Sequence, residues 1–135
     1  IAHLLELETC INGAFVHIHR SDGMIVASPT GSTAYALAGG GPIVQPSLDA
    51  LLLVPICPHS LTNRPIVVDG ESSIEIVVRT READNARLAI DGEAKLELAS
   101  NDRIKVNKKD KSIKLIHPPG HDQFHILREK LNWST

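Results

Sequence analysis

The stretch "HLLELETCINGAFVHIHRSDG", residues 3–23, decides how this chain folds. Its first part, "HLLELET" at 3–9, contains an apolar/polar alternation at Leu5, Glu6, Leu7 and Glu8, and "AFVHIHR" at 14–20 alternates too. A period of two sends successive side chains to opposite faces of a sheet. Asn12-Gly13 lies between the runs, and that dipeptide supplies the positive φ angles of a type I′ turn. The reading is a β-hairpin. "RSDG" at 20–23 then makes a second turn before the apolar strand "MIVAS" at 24–28.

Working outward, the same signals continue. "LLLVPI" at 51–56 reads as a buried strand, followed by an irregular "CPHSLTNRP". Further strands are expected at "IVV" 66–68, "SIEIVVR" 73–79, "RLAID" 87–91, "AKLEL" 94–98, "RIKVN" 103–107 and "SIKLIH" 112–117. Asp91-Gly92 and "NKKDKS" are their turns, and Pro46-Ser47-Leu48-Asp49 reads as a turn or one helical turn. Strands this short and closely spaced predict a mostly β fold, an antiparallel β-sandwich-like domain. Two helices complete it: a short one stopped by Gly39–Gly41, and a C-terminal amphipathic one. In the latter Asp122 is the N-cap, Phe124, Leu127 and Leu131 recur at i, i+3 and i+7, Ile126 widens the stripe and Trp133 closes it.

Composition bounds the function. The 135 residues carry a formal net charge of −2, are 42% hydrophobic and 22% charged, and fit one globular domain. Slight acidity argues against nucleic acid or an anionic membrane as the main partner. The longest apolar run, "ALLLVPI" at 50–56, falls far short of the roughly 20 residues of a membrane span. Two distant cysteines, Cys10 and Cys57, suit a reducing, cytoplasmic setting. The chain opens strand-like and without Met, as expected of a piece cut from a longer protein.

The unusual segment is "SPTGSTAYALAGGGP", residues 28–42. Pro29 and Gly31 shape a turn, Ser32 or Thr33 is expected to cap a helix starting near Thr33, and three glycines stop it within about two turns. A helix that brief gains little from its own hydrogen bonds. Its asset is an N-terminus with unpaired N–H groups and hydroxyls, suited to a polar ligand such as a base edge or phosphate. Tyr35, the sole tyrosine, can stack beside it. An isolated T-G-S-T is more often an ordinary capped turn. No Walker A lysine follows the glycines, and Rossmann spacing is absent.

The histidines make no metal site on this reading. His17 and His19 share one strand face, while Pro118, Pro119 and Gly120 keep His117, His121 and His125 off a single helix, and no further ligands complete a set. Cys57-Pro58-His59 does not form a thiol dyad, since near neighbours in extended chain seldom pair side chains. No G-x-S-x-G elbow is present.

The long run from "RSDGMIVASPTGSTAYALAGGGP" through "ICPHSLTNRPIVV", with "HLLELETCINGAFV" before and "LIHPPGHDQFHILREKLNW" after, resembles the signature of NAD kinases. These transfer a phosphate from ATP to the adenosine 2′-hydroxyl of NAD. The resemblance covers essentially the whole chain and implies the second of two domains, a β-sandwich-like one that follows an N-terminal α/β domain. The helix at 122–133 is then expected to pack on that other domain. A Gly-Gly-Asp-Gly-Thr segment, whose Asp is the family's proposed base, and an Asn-Glu pair that grips NAD would both lie upstream, so no catalytic base is assigned in this chain. The resemblance further implies a divalent metal such as Mg²⁺ travelling with ATP, and a homo-oligomer, tetramer or dimer.

By the same resemblance Thr33, Ala34 and Tyr35 face adenosine, and Ala36, Leu37 and Ala38 line that wall. Family members often carry serine where Ala36 and Ala38 stand. Asp22 resembles the aspartate that holds the nicotinamide end, a role a carboxylate can fill by accepting from a carboxamide or ribose hydroxyl. As a bare feature, Asp before Gly is a standard turn residue. Arg20 matches a position tied to NAD choice or pyrophosphate contact; alone it reads equally as a solvated strand-end arginine. His3 and Glu93 match positions that reach the dinucleotide. The family usually has Gln at the latter, which can donate where an ionised Glu cannot. Cys57 matches a position beside the nicotinamide amide, through its backbone; by itself it reads as a buried small hydrophobe. Two other functions stay open on sequence: a lipid kinase of the diacylglycerol or sphingosine type, which shares the two-domain plan, and a non-catalytic β-sandwich binding module.

Overall fold

The structure is a computed structural model, and it describes residues 5–80 and 86–134. The opening hairpin forms as the alternation requires: β1 (Leu5–Ile11) pairs antiparallel with β2 (Ala14–Ser21). Asn12 and Gly13 have φ of 52° and 79°, the left-handed pair of a type I′ turn. Asn12 does more than turn the chain. Its N–H donates to the Ser73 carbonyl at 2.8 Å, and its Oδ1 accepts from the Ser73 N–H at 2.8 Å. The turn is thereby stitched to the start of β6 (Ile74–Arg79), which pairs with β1 along most of its length.

The turn at "RSDG" is a corner between two sheets. β3 (Gly23–Ala27) does not pair with β2 but lies in another sheet with β4 (Ala50–Ile56) and β5 (Ile66–Asp69). At the corner Ser21 is fully buried, and its Oγ donates to the Gly23 carbonyl at 2.9 Å. The first sheet has the order β2-β1-β6-β9, with β9 spanning Asp102–Val106. A separate hairpin joins β7 (Ala86–Ile90) to β8 (Glu93–Leu98) through Asp91 and Gly92, at φ 51° and 82°. All recorded pairings are antiparallel.

The core lies between the two larger sheets. Leu7, Ile74, Ile76 and Val78 from one face meet Leu51 and Leu53 from the other, with Ala86 at the margin. β4 is buried on both sides, as its unbroken apolar run suggests. Leu52 and Val54 point the opposite way and pack with Ala27, Ala36 and Val44 in a second cluster. Pro55 is tolerated because it lies beyond Leu53, the last β4 residue that pairs with β5.

One expected strand does not form. "SIKLIH" at 112–117 joins no ladder among the described residues, and Ile113 and Ile116 are 88% and 96% exposed. Alternation suits a chain to pairing, but extended backbone becomes strand only where an edge receives it. The C-terminal helix does form, as α2 (Gln123–Leu131). Asp122 Oδ1 accepts from the Phe124 N–H at 2.9 Å, and Asn132 at φ 56° closes the other end. Leu127 is buried, while Phe124 and Trp133 are about half exposed.

His17 and His19 do share one strand face, and it is the inner one. His19 is 4% exposed and lies edge-on to His17, with ring centroids 4.7 Å apart. Burial first, and the neighbouring His17 second, hold its pKa down to about 4. Folded protein therefore keeps this imidazole neutral while the unfolded chain takes up a proton near pH 6.5. Stability contributed here is lost as pH falls from about 6.5 towards 4. The urea midpoint should drop between pH 6.5 and 5, and His19→Leu should flatten that slope; an unchanged slope would remove His19 from the account.

Candidate functional site

The segment after β3 does not fold as the capping pattern predicts. Residues Thr30–Thr33 form a 3-10 turn, Ala34 follows at φ −96° and ψ −128°, and one helical turn, α1 (Tyr35–Ala38), comes next. Neither Ser32 nor Thr33 caps it; Ala34 holds the N-cap position and makes no side-chain bond. The reason is competition for the same groups. Ser32 Oγ donates to the Pro29 carbonyl at 2.6 Å and accepts from the Val44 N–H at 3.1 Å. Thr33 Oγ1 donates to the Thr30 carbonyl at 3.3 Å.

Three amides of this turn are also taken. Gly31 N–H donates to Ser28 Oγ, Ser32 N–H to the Pro29 carbonyl and Ala34 N–H to the Gly31 carbonyl, each at 3.1 Å. The segment thus presents no anion cradle at those positions. What it presents outward is a rim: half-buried Thr33, exposed Ala34, and Tyr35 with 67% of its surface open. Ala36 turns inward at 1% exposure, Leu37 is half-buried, and Ala38 is exposed. Any contact from Ala36 to a ligand would have to avoid its side chain.

The glycines do more than stop the helix. A Cβ on Gly41 would lie 2.8 Å from both the Ala36 carbonyl oxygen and Val54 Cγ2, and one on Gly39 would lie 3.2 Å from Val54 Cγ1. Gly40, at φ 90°, turns the chain between them. Their bareness lets α1 lie flat on β4.

The hairpin tip at Gly92 completes the rim. A Cβ there would meet Tyr35 Oη at 3.3 Å and Cε2 at 3.4 Å, so the tyrosine ring rests against the tip. Exposed Glu93 follows at once. Sequence spacing gave no sign of this meeting, because the two elements are far apart in the chain.

A second group gathers at the other end of β3. Asp22 N–H donates to the Ile56 carbonyl and His59 N–H to the Arg20 carbonyl, both at 3.0 Å. These bonds hold the exposed Arg20 and Asp22 beside the turn that carries Cys57. Cys57 is exposed rather than buried, and its φ of 46° is unusual for a side chain with a Cβ. The strained loop, not an apolar pocket, sets its environment. His59 joins this group unforeseen, since it arrives on an irregular loop with no periodic signal. At about 3.3 Å per residue, β3 itself is about 17 Å long, and the two groups lie on the segments that leave its two ends. His3 lies outside the described residues.

Comparison with known proteins gives a consistent picture. Residues 1–118 match the family described as the ATP-NAD kinase C-terminal domain. The chain is 52% identical over 132 residues to an NAD kinase of Halorhodospira halophila and 47% identical over 133 residues to one of Nitrosococcus oceani. Each alignment covers 98% of this chain but only 43% and 45% of those relatives, so the chain spans less than half their length. Among solved structures, yeast NADH kinase complexed with NADH superposes with a TM-score of 0.87 at 32% identity, covering 98% of this chain and 41% of that one. An NAD kinase from Archaeoglobus fulgidus in complex with ATP gives 0.70 at 32% identity, over 81% of this chain and 41% of its own.

The glycine contacts carry a direct test. Gly41→Ala should cost about 1–3 kcal/mol, because the added methyl meets backbone as well as Val54. Gly13→Ala, whose Cβ would meet nothing within 4 Å, should lose only what its φ of 79° imposes. Thermal unfolding of the two variants, with Gly41→Ala no worse than Gly13→Ala, would contradict the packing argument.

Proposed function

This chain belongs to the ATP-NAD kinase C-terminal domain family, and on that premise we propose that it forms the dinucleotide-binding part of an NAD kinase. The whole enzyme would transfer the γ-phosphate of ATP to the adenosine 2′-hydroxyl of NAD, making NADP. The observation that carries the reading is the two-ended rim: Tyr35 against Gly92 at one end, Arg20 and Asp22 beside Cys57 at the other.

Each end suits one half of the ligand. The exposed Tyr35 ring offers a flat face for a base, and the lone pairs of Thr33 Oγ1 can accept from it. Leu37 and Ala38 follow on the same wall. Asp22 can accept from ribose hydroxyls or a carboxamide, Arg20 can pair with the pyrophosphate, and Glu93, when ionised, only accepts. The backbone at Cys57 is fixed at the nicotinamide end. We assign His3 to the same ligand by family resemblance.

Phosphoryl transfer of this kind is mostly positioning and charge stabilisation. The role of this chain is to hold adenosine so that the 2′-hydroxyl rather than the 3′ faces the phosphate. Among the described residues no three His, Cys, Asp or Glu side chains are grouped to hold a metal. The family resemblance implies a divalent cation that travels with ATP and neutralises phosphate charge. We further propose an N-terminal α/β domain that receives the half-exposed Phe124 and Trp133 of α2, a homo-oligomeric tetramer or dimer, and a cytoplasmic setting consistent with two free thiols. No helix among the described residues is long and apolar enough to cross a membrane.

Steady-state assay of the full-length parent with NAD and ATP tests this. Tyr35→Ala should raise the KM for NAD about tenfold with a smaller effect on kcat, the pattern of a lost binding contact. Residues 1–135 alone should form no NADP. Phosphorylation of a lipid and not of NAD, or unaltered NAD kinetics in Tyr35→Ala, would overturn the assignment.

A further inference from the structure

The rim residues Thr33, Ala34 and Tyr35 belong to no ladder, and the single turn of α1 cannot hold them unaided. Ser32 stands directly behind them at 0% exposure. Its two hydrogen bonds have different reach. The one to Pro29 closes the 3-10 turn, whereas the one from Val44 N–H ties that turn to a point twelve residues later. Val44 is itself buried, in the cluster with Ala27, Ala36, Leu52 and Val54. Without Ser32 Oγ this amide would be left buried and unpaired, a larger cost than the net gain of the bond.

Both bonds act within residues 29–44, so their loss bears on the rim more than on the sandwich core. We propose that Ser32 is a positioning residue for the dinucleotide. It touches no ligand, and through the Pro29–Ser32–Val44 link it sets the height of Thr33 and Ala34 and that at which Tyr35 meets the hairpin tip at Gly92. This rests on the functional reading given above.

The test uses the full-length parent. Ser32→Ala should raise the KM for NAD about tenfold, leave kcat within about twofold and leave the KM for ATP unchanged. Ile74→Val, in the core between the sheets, serves as a destabilised control and should leave the KM for NAD unchanged. Ser32→Cys keeps a weaker donor and acceptor and should fall between wild type and Ser32→Ala. It also decides the matter if Ser32→Ala does not fold. A KM for NAD that rises no more in the serine variants than in Ile74→Val overturns the proposal. Failure of the wild type to phosphorylate NAD overturns the functional reading instead. Amide exchange at residues 33–35 then decides on Ser32: selectively faster in Ser32→Ala supports the link, and unchanged exchange overturns it.

Discussion

The burial of β4 on both faces is the constraint on which the rest depends. Leu52, Leu53 and Val54 are at most 1% exposed, and fully burying such side chains is worth about 1.5–3 kcal/mol each. Leu53 with Leu51 closes the sandwich, while Leu52 with Val54 forms the floor beneath α1. A helix of four residues has no stability of its own. It exists because Ala36, Gly39 and Gly41 let it press onto that floor. The rim of the proposed site is therefore an outgrowth of the core, and its position is set by apolar packing underneath.

Polar groups act where the chain changes direction. Asn12 binds the first hairpin to Ser73, Ser21 closes the corner between sheets, and the Asp22–Ile56 and His59–Arg20 bonds join two loops at one end of β3. Each such bond contributes only about 0.5–1.5 kcal/mol net, yet a buried partner left unmatched costs more. Their value lies in specifying one geometry. The surface ion pairs, such as Arg79 with Glu8 at 2.9 Å or Lys108 with Asp49 at 2.8 Å, add little by comparison.

β3 joins these two themes. It pairs with β4 along its whole length, so it is rigid, and each of its ends opens into one half of the proposed site. A strand is a fixed ruler in a way that a loop is not. β3 is thus the rigid part of the path that joins the Arg20–Asp22 group to the Tyr35 rim.

The sequence by itself determined whatever depends on neighbours along the chain. Alternation and the Asn12-Gly13 and Asp91-Gly92 pairs set the hairpins, the apolar run set β4, and Asp122 set the start of α2, because these are local preferences of backbone and side chain. The motif at 28–42 marked the family in the same way. Only the tertiary structure decided that "RSDG" is a corner between sheets, that "SIKLIH" finds no partner strand among the described residues, that Ser32 spends its hydroxyl on Val44 rather than on a cap, and that Tyr35 meets Gly92. Each of these turns on which distant group reaches a given atom first, and that competition is settled by packing in three dimensions.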